Sequence, residues 1–251
     1  SQQLYDLQQQ QRAMERAIRK IKRQLLVKEQ ELKAFSNDEN IRGDYDKLAY
    51  RLRMQNRKYG EFCAENDLQK QYDRVKIAGF KKEQASKANS RATVFNNEEY
   101  KKHESNLGTN MVSKTDFSRI MADKSEKKLF THYSDAVKRG DVSPLADYKL
   151  YRKTAMELQD KCVGLTTSNG IKLKRRSLHC IDRVIGSVEQ RRNGITVDDV
   201  VKALTSPETE IRPVRYSRTS ASQKFIYKNA EVTINPVTMT LIQVNPHHRE
   251  K

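Results

Sequence analysis

Steps of three and four residues through the start of the chain pick out Leu4, Leu7, Gln11, Met14, Ile18, Ile21, Leu25, Lys28, Leu32 and Phe35. Only Gln11 and Lys28 break this apolar seam, and no Gly or Pro interrupts it. An a/d register held over more than four heptads predicts one long packed helix, roughly 45–50 Å at 1.5 Å per residue. Residues 36–43 form a polar break. A second helix is predicted from an N-cap at Asp44 to Asn66, with Leu48, Leu52, Tyr59 and Phe62 as its apolar contacts. The short connection favours an antiparallel hairpin of the two helices. A further short helix is predicted over Gln69–Phe80.

The pattern then weakens. Residues 81–91 are polar without periodicity, and 93–110 hold few apolar side chains. The stretch 81–143 therefore reads as a linker or extended arm, with short helices at Thr115–Met121 and Glu126–Lys138. Ser143 and Pro144 look like the cap and first residue of a helix running to Lys161. Gly164 and Ser168-Asn169-Gly170 are turn signals behind it. Ile171–Lys174 alternates and predicts a first strand.

From Ser177 the order sharpens again. Ser177–Ile185 predicts a short helix on which His179 and Arg183, four apart, share one face. Thr196 is a good N-cap for a second helix with Asp198 and Asp199 in its first turn, an apolar stripe of Val197, Val200, Val201 and Leu204, and Pro207 at its end. Lys224–Tyr227, Ala230–Ile234 and Thr240–Val244 read as strands, the last two joined by a turn over Asn235–Met239. The fold class is α+β: long N-terminal helices in a coiled-coil-like hairpin, an extended middle, and a small C-terminal domain of two helices with an antiparallel sheet. The segments are 1–80 (hairpin), 81–143 (arm), 144–170 (connecting helix and turn), 171–246 (α+β domain) and 247–251 (tail).

Composition narrows the class of partner. Of 251 residues, 36% are hydrophobic and 32% charged, with no Trp, which is lean for one globular core and suits exposed helices beside a small domain. The formal net charge of +17 and the pI of about 9.7 point to a polyanion, nucleic acid first. Arg12, Arg16, Arg19, Lys20, Lys22 and Arg23 supply a basic face on the first helix, and Arg51, Arg53, Arg57 and Lys58 add to it on the second. The same charges also fit a solvated flank or an acidic protein partner. Cys63, Cys162 and Cys180 are odd in number and widely spaced, so neither a disulfide framework nor a zinc site is expected. His103 and His132 stand without ligand-like neighbours, so no metal or cofactor is expected. No apolar run reaches the ~20 residues of a membrane span. The first residue is Ser rather than Met, as expected of a fragment or processed chain.

Two stretches resemble known proteins. Tyr5, Gln11–Arg19 and Lys58-Tyr59-Gly60-Glu61-Phe62-Cys63 resemble the C-terminal half of minor capsid, or head morphogenesis, proteins of phages that infect Gram-positive bacteria. Ser177-Leu178-His179, Arg183, the Gly194–Pro207 helix, Ser222-Gln223-Lys224-Phe225, Asn235-Pro236 and Leu241–Pro246 resemble the nuclease domain often appended to such proteins. That domain is of the barnase–EndoU–colicin–RelE class of small ribonuclease folds. The resemblance covers most of 1–80 and 171–246. It implies a virion protein of the phage head, present in the host cytoplasm during assembly. It further implies multiple copies in contact with capsid or portal proteins and with packaged DNA or host RNA. The alternatives are a non-virion basic helical adaptor for nucleic acid, or a free toxin whose nuclease domain is the main activity.

Metal-free RNA cleavage needs a base for the 2′-hydroxyl, an acid for the leaving oxygen and cations around the phosphate. His179 titrates near neutrality when unperturbed and sits inside a predicted element, and Arg175, Arg176 and Arg183 around it favour its neutral, basic form. Arg183 suits a bidentate phosphate clamp, Lys224 is a second clamp and Ser222 a hydrogen-bond donor. Arg175, Arg176, Arg215 and Arg218 are candidate nucleic-acid contacts, and Gln243 and Asn245 either reach a base edge or simply cap the sheet. The competing reading of His179 is a boundary residue satisfied by packing, and of Lys224 and Arg215 a solvated surface. His247 and His248 fall in a tail expected to fray.

Overall fold

The computed structural model describes residues 2–35, 37–68, 96–187 and 193–247. They form two compact units, residues 1–139 and 140–251. Among the described residues no helix is long and apolar enough to cross a membrane.

In the first unit, α1 (Gln2–Ala34) and α2 (Glu39–Glu65) pack together. They bury Ile18, Ile21, Leu25 and Leu32 from α1, and Tyr45, Ala49, Leu52, Tyr59 and Cys63 from α2. The predicted seam holds through the middle of α1, where Glu15 beside it is buried as well, but not at its outermost positions, Leu4 and Phe35, which are exposed. A straight helix drifts ~20° per heptad from a 3.5-residue repeat, which rotates the outer heptads off the contact. Glu15 is satisfied by the Tyr59 hydroxyl, which donates to Oε1 at 2.6 Å. The second helix starts earlier than Asp44. Asp38 is its N-cap, accepting the N–H groups of Asn40 and Ile41 at 2.9 and 3.1 Å, and this brings Glu39–Gly43 into the helix. The short helix expected over Gln69–Phe80 lies outside the described residues.

The expected arm is different. Over its described part, three helices, α3 (Asn97–Leu107), α4 (Lys114–Ala122) and α5 (Lys124–Arg139), belong to the first compact unit. Both expected short helices are present, and α3 packs on α2 and α5. A cluster of rings replaces the missing aliphatic pattern: Tyr100 meets Phe117 edge-on at 5.2 Å, and His103 meets Phe130 at 5.1 Å. The large rings are fully used, with Phe117, Phe130 and Tyr133 at most 1% exposed.

In the second unit, α6 (Tyr148–Cys162) is capped by Asp147, which accepts the Leu150 N–H at 2.8 Å. Ser143 and Pro144 precede it in a turn instead of starting it, with the Ser143 carbonyl accepting the Ala146 N–H. The strand expected at Ile171–Lys174 is a tight hairpin with one bridge, Thr166 to Lys172, and the first strand is β1 (Arg175–Arg176). α7 (His179–Ile185) and α8 (Val197–Thr205) follow, the latter capped by Thr196 as expected. The remaining strands are β2 (Glu210–Ile211), β3 (Arg215–Tyr216), β4 (Ala221–Tyr227), β5 (Ala230–Asn235) and β6 (Thr240–Pro246).

The sheet runs β1-β6-β5-β4-β2, with β3 also on β4. It is mixed rather than wholly antiparallel, because β1 pairs with β6 in parallel. β2 and β3 lie along the same edge of β4, opposite β5, and Pro213 falls between them, where a missing N–H interrupts the ladder. One face is core. Phe225, Val232, Ile234, Leu241 and Val244 are fully buried, as are Ile181, Val200 and Leu204 of α7 and α8, which pack on β4, β5 and β6. The connecting helix, expected as a separate segment, is part of this unit, since α6 packs against α7, α8 and β1.

Candidate functional site

α7 grows out of the sheet edge. The Ser177 N–H donates to the Leu241 carbonyl at 2.9 Å, its hydroxyl donates to the Ile242 carbonyl at 2.6 Å, and the same oxygen accepts the Cys180 N–H at 3.2 Å. Cys180, Ile181 and Val184 turn into the core, which leaves His179 and Arg183 on the outer side. The His179 side chain is 44% exposed. Arg183 Nε donates to His179 Nε2 at 3.1 Å. Nε2 is therefore the acceptor nitrogen and the ring proton is on Nδ1. Nδ1 stands 3.8 Å from Oδ2 of Asp182, whose side chain is 1% exposed, and Asp182 Oδ1 accepts the Tyr151 hydroxyl at 2.6 Å.

Four residues thus lie in one row, Tyr151–Asp182–His179–Arg183, with a hydrogen bond at each end and a 3.8 Å approach, longer than a hydrogen bond, at its centre. A buried carboxylate lies behind the imidazole, and a guanidinium lies in front of it. The Arg183 bond orients the ring, the Asp182 carboxylate can stabilise it once protonated, and the Arg183 cation stands at its outer side. His179 and Arg183 were legible from their spacing. Asp182 had a signal, an acidic residue three positions after His179 on a helix. Tyr151, on another helix and 31 residues away, had none.

Ser222 and Lys224 do not join this group. Burial alternates along β4, with Ala221, Gln223 and Phe225 inward and Ser222, Lys224 and Ile226 on the other face, away from the packed helices. Lys224 Nζ is 2.7 Å from Glu231 Oε1. On that outer face Lys224 pairs in register with Thr233 and Thr233 with Gln243, while Glu231 pairs with Asn245. Arg215 is opposite Ser222, and Arg175 is opposite Thr240. The outer face therefore gathers Arg215, Lys224, Arg175, Gln243 and Asn245. Arg218 is exposed in the turn between β3 and β4.

Arg176 is turned inward. It pairs with the buried Leu241, and its Nε is buried with no hydrogen-bond partner. Burial pulls its guanidinium below the usual arginine range, offset in part by Cys180, Tyr151 and Cys162 around it. Burial also pushes the Cys180 thiol up to about 11 and the Cys162 thiol up to about 12, so neither is a nucleophile near neutral pH. Among the described residues no cluster of His, Cys, Asp or Glu is placed to hold a metal ion. Comparison of the chain with protein-family models, curated proteins and solved structures returned no match.

Proposed function

We propose that the chain is a minor component of a phage head whose C-terminal unit cleaves RNA without a metal. The sequence resemblance suggests the setting, and the Tyr151–Asp182–His179–Arg183 row is the observation that carries the chemistry. An incoming phosphate draws the Arg183 guanidinium onto its oxygens and frees His179 Nε2. Nε2 then takes the proton of the adjacent 2′-hydroxyl. The 2′-oxygen bonds to phosphorus and the bond to the 5′-oxygen breaks. The leaving oxygen takes a proton from solvent, giving a 2′,3′-cyclic phosphate and a 5′-hydroxyl. Asp182 balances the imidazolium, and Tyr151 holds Asp182 in place.

The purified chain and its His179→Ala variant, incubated with mixed tRNA in EDTA, test this reading. Cleavage by the parent alone, leaving cyclic-phosphate ends, is expected. No cleavage by folded parent protein overturns the enzymatic part. The head-protein part is tested separately by co-sedimentation with capsid or portal proteins.

A second reading, a basic helical adaptor for nucleic acid, draws on the exposed Arg12, Arg16, Arg19, Lys20 and Arg23 of α1. Strongly salt-dependent DNA binding without particle association favours it.

A further inference from the structure

Tyr216 is 76% exposed, more than Leu4, Tyr5, Phe35 or any other large apolar side chain among the described residues. A phenol ring so far in water gives up the burial that makes aromatic residues worth having in a fold. It is not on a loose end. β3 is held to β4, with Arg215 opposite Ser222 and Tyr216 opposite Ala221. The turn beyond it is tied on both sides: the Ser217 N–H donates to the Ser220 carbonyl at 2.8 Å, and the Ser220 N–H donates to the Ser217 hydroxyl at 3.1 Å. The ring is thus presented by a hydrogen-bonded strand pair.

Its neighbours are cationic and unneutralised. Arg215 and Arg218 are exposed, and among the described residues neither is drawn into an ion pair. Nearby cations are quenched: Arg212 Nε lies 3.0 Å from Glu210, and Lys224 Nζ lies 2.7 Å from Glu231. Arg215 pairs with outward Ser222 and Tyr216 with inward Ala221, so the two side chains flank the free edge of β3 from opposite faces, with Arg218 in the turn beyond. An exposed aromatic face with guanidiniums within one or two residues of it matches a polymer that alternates flat bases with phosphates. Stacking needs unpaired bases, so the polymer is single-stranded.

We propose that the β3–β4 hairpin binds single-stranded RNA, with a base stacked on Tyr216 and the flanking phosphates on Arg215 and Arg218. The site goes beyond the cleavage reading and does not depend on it, since no residue of the His179 row takes part.

The test uses the full chain and a fluorescein-labelled 20-nucleotide strand of mixed sequence with 2′-O-methyl riboses, which attack by the 2′-oxygen cannot cut. Binding is read by anisotropy over a salt series, beside the same sequence as a duplex. Tyr216→Ala is expected to weaken single-strand binding roughly five- to hundredfold and to leave duplex binding unchanged. Tyr216→Phe, which keeps the ring, is expected to bind like the parent. Arg215→Gln with Arg218→Gln is expected to lower the salt slope by about 1.4, two phosphates at ~0.7 each. Parent-like single-strand affinity in Tyr216→Ala overturns the proposal, as does an equal loss on single strand and duplex. Failure of RNA cleavage leaves this result unaffected, because the probe reports binding alone.

Discussion

Tyr151 donates a 2.6 Å hydrogen bond to the buried carboxylate of Asp182 and so ties α6 to α7. Asp182 is 1% exposed, so the bond is made to a charge far from water. Tyr151→Phe is expected to cost about 1.5–3 kcal/mol, seen as faster amide exchange in α6 and α7. On the proposed mechanism, Asp182→Asn lowers RNA cleavage roughly hundredfold, because the imidazolium loses its counter-charge. Unchanged exchange in Tyr151→Phe would remove the tie from the account.

The three cysteines give a prediction at high pH. Burial raises the Cys63 thiol to about 11, Cys180 to about 11 and Cys162 to about 12, from 9.0 when exposed. A group whose folded pKa is raised contributes stability that is full below its unfolded value. That contribution is lost as pH climbs toward the folded value. Stability should therefore fall as pH passes 9 and continue falling to about 12. At pH 8 a disulfide reagent should leave the native protein unmodified and react with all three thiols in guanidinium.

His103 works in the opposite direction. It is 3% exposed, its Nδ1 lies 2.9 Å from the Ser134 hydroxyl, and burial lowers its pKa below 6.5. The unfolded chain takes up this proton more readily than the folded one, so the stabilisation present above pH 6.5 is lost on acidification. The melting temperature of the parent should drop between pH 7 and pH 5. His103→Gln, which cannot titrate, should flatten that part of the curve. An equally steep curve would assign the effect to other groups.

Two glycines of α2 should respond with opposite sign. A Cβ on Gly60 would stand 2.1 Å from the Glu104 carbonyl oxygen, whereas one on Gly43 would meet nothing within 4 Å. Gly60→Ala should destabilise the first unit by at least about 1–3 kcal/mol, by forcing α2 and α3 apart. Gly43→Ala should stabilise it by about 0.5–1 kcal/mol, by lowering the entropy lost on forming the helix. Denaturant titration of both variants reads the two signs directly.

What the sequence alone determined were features set by neighbours along the chain. The α1 seam, the Thr196 cap, the β5–β6 turn and the shared face of His179 and Arg183 follow from periods of 3.6 and 2 and from local capping. The tertiary structure decided the rest. It packed residues 97–139 around rings that no aliphatic period announces. It set β1 parallel to β6. It also put Ser222 and Lys224 on the opposite sheet face from the packed helices. It supplied Tyr151 to Asp182 across 31 residues and left Tyr216 in water beside Arg215. Contacts of this kind depend on which surfaces remain after the core is filled, and no local spacing encodes that outcome.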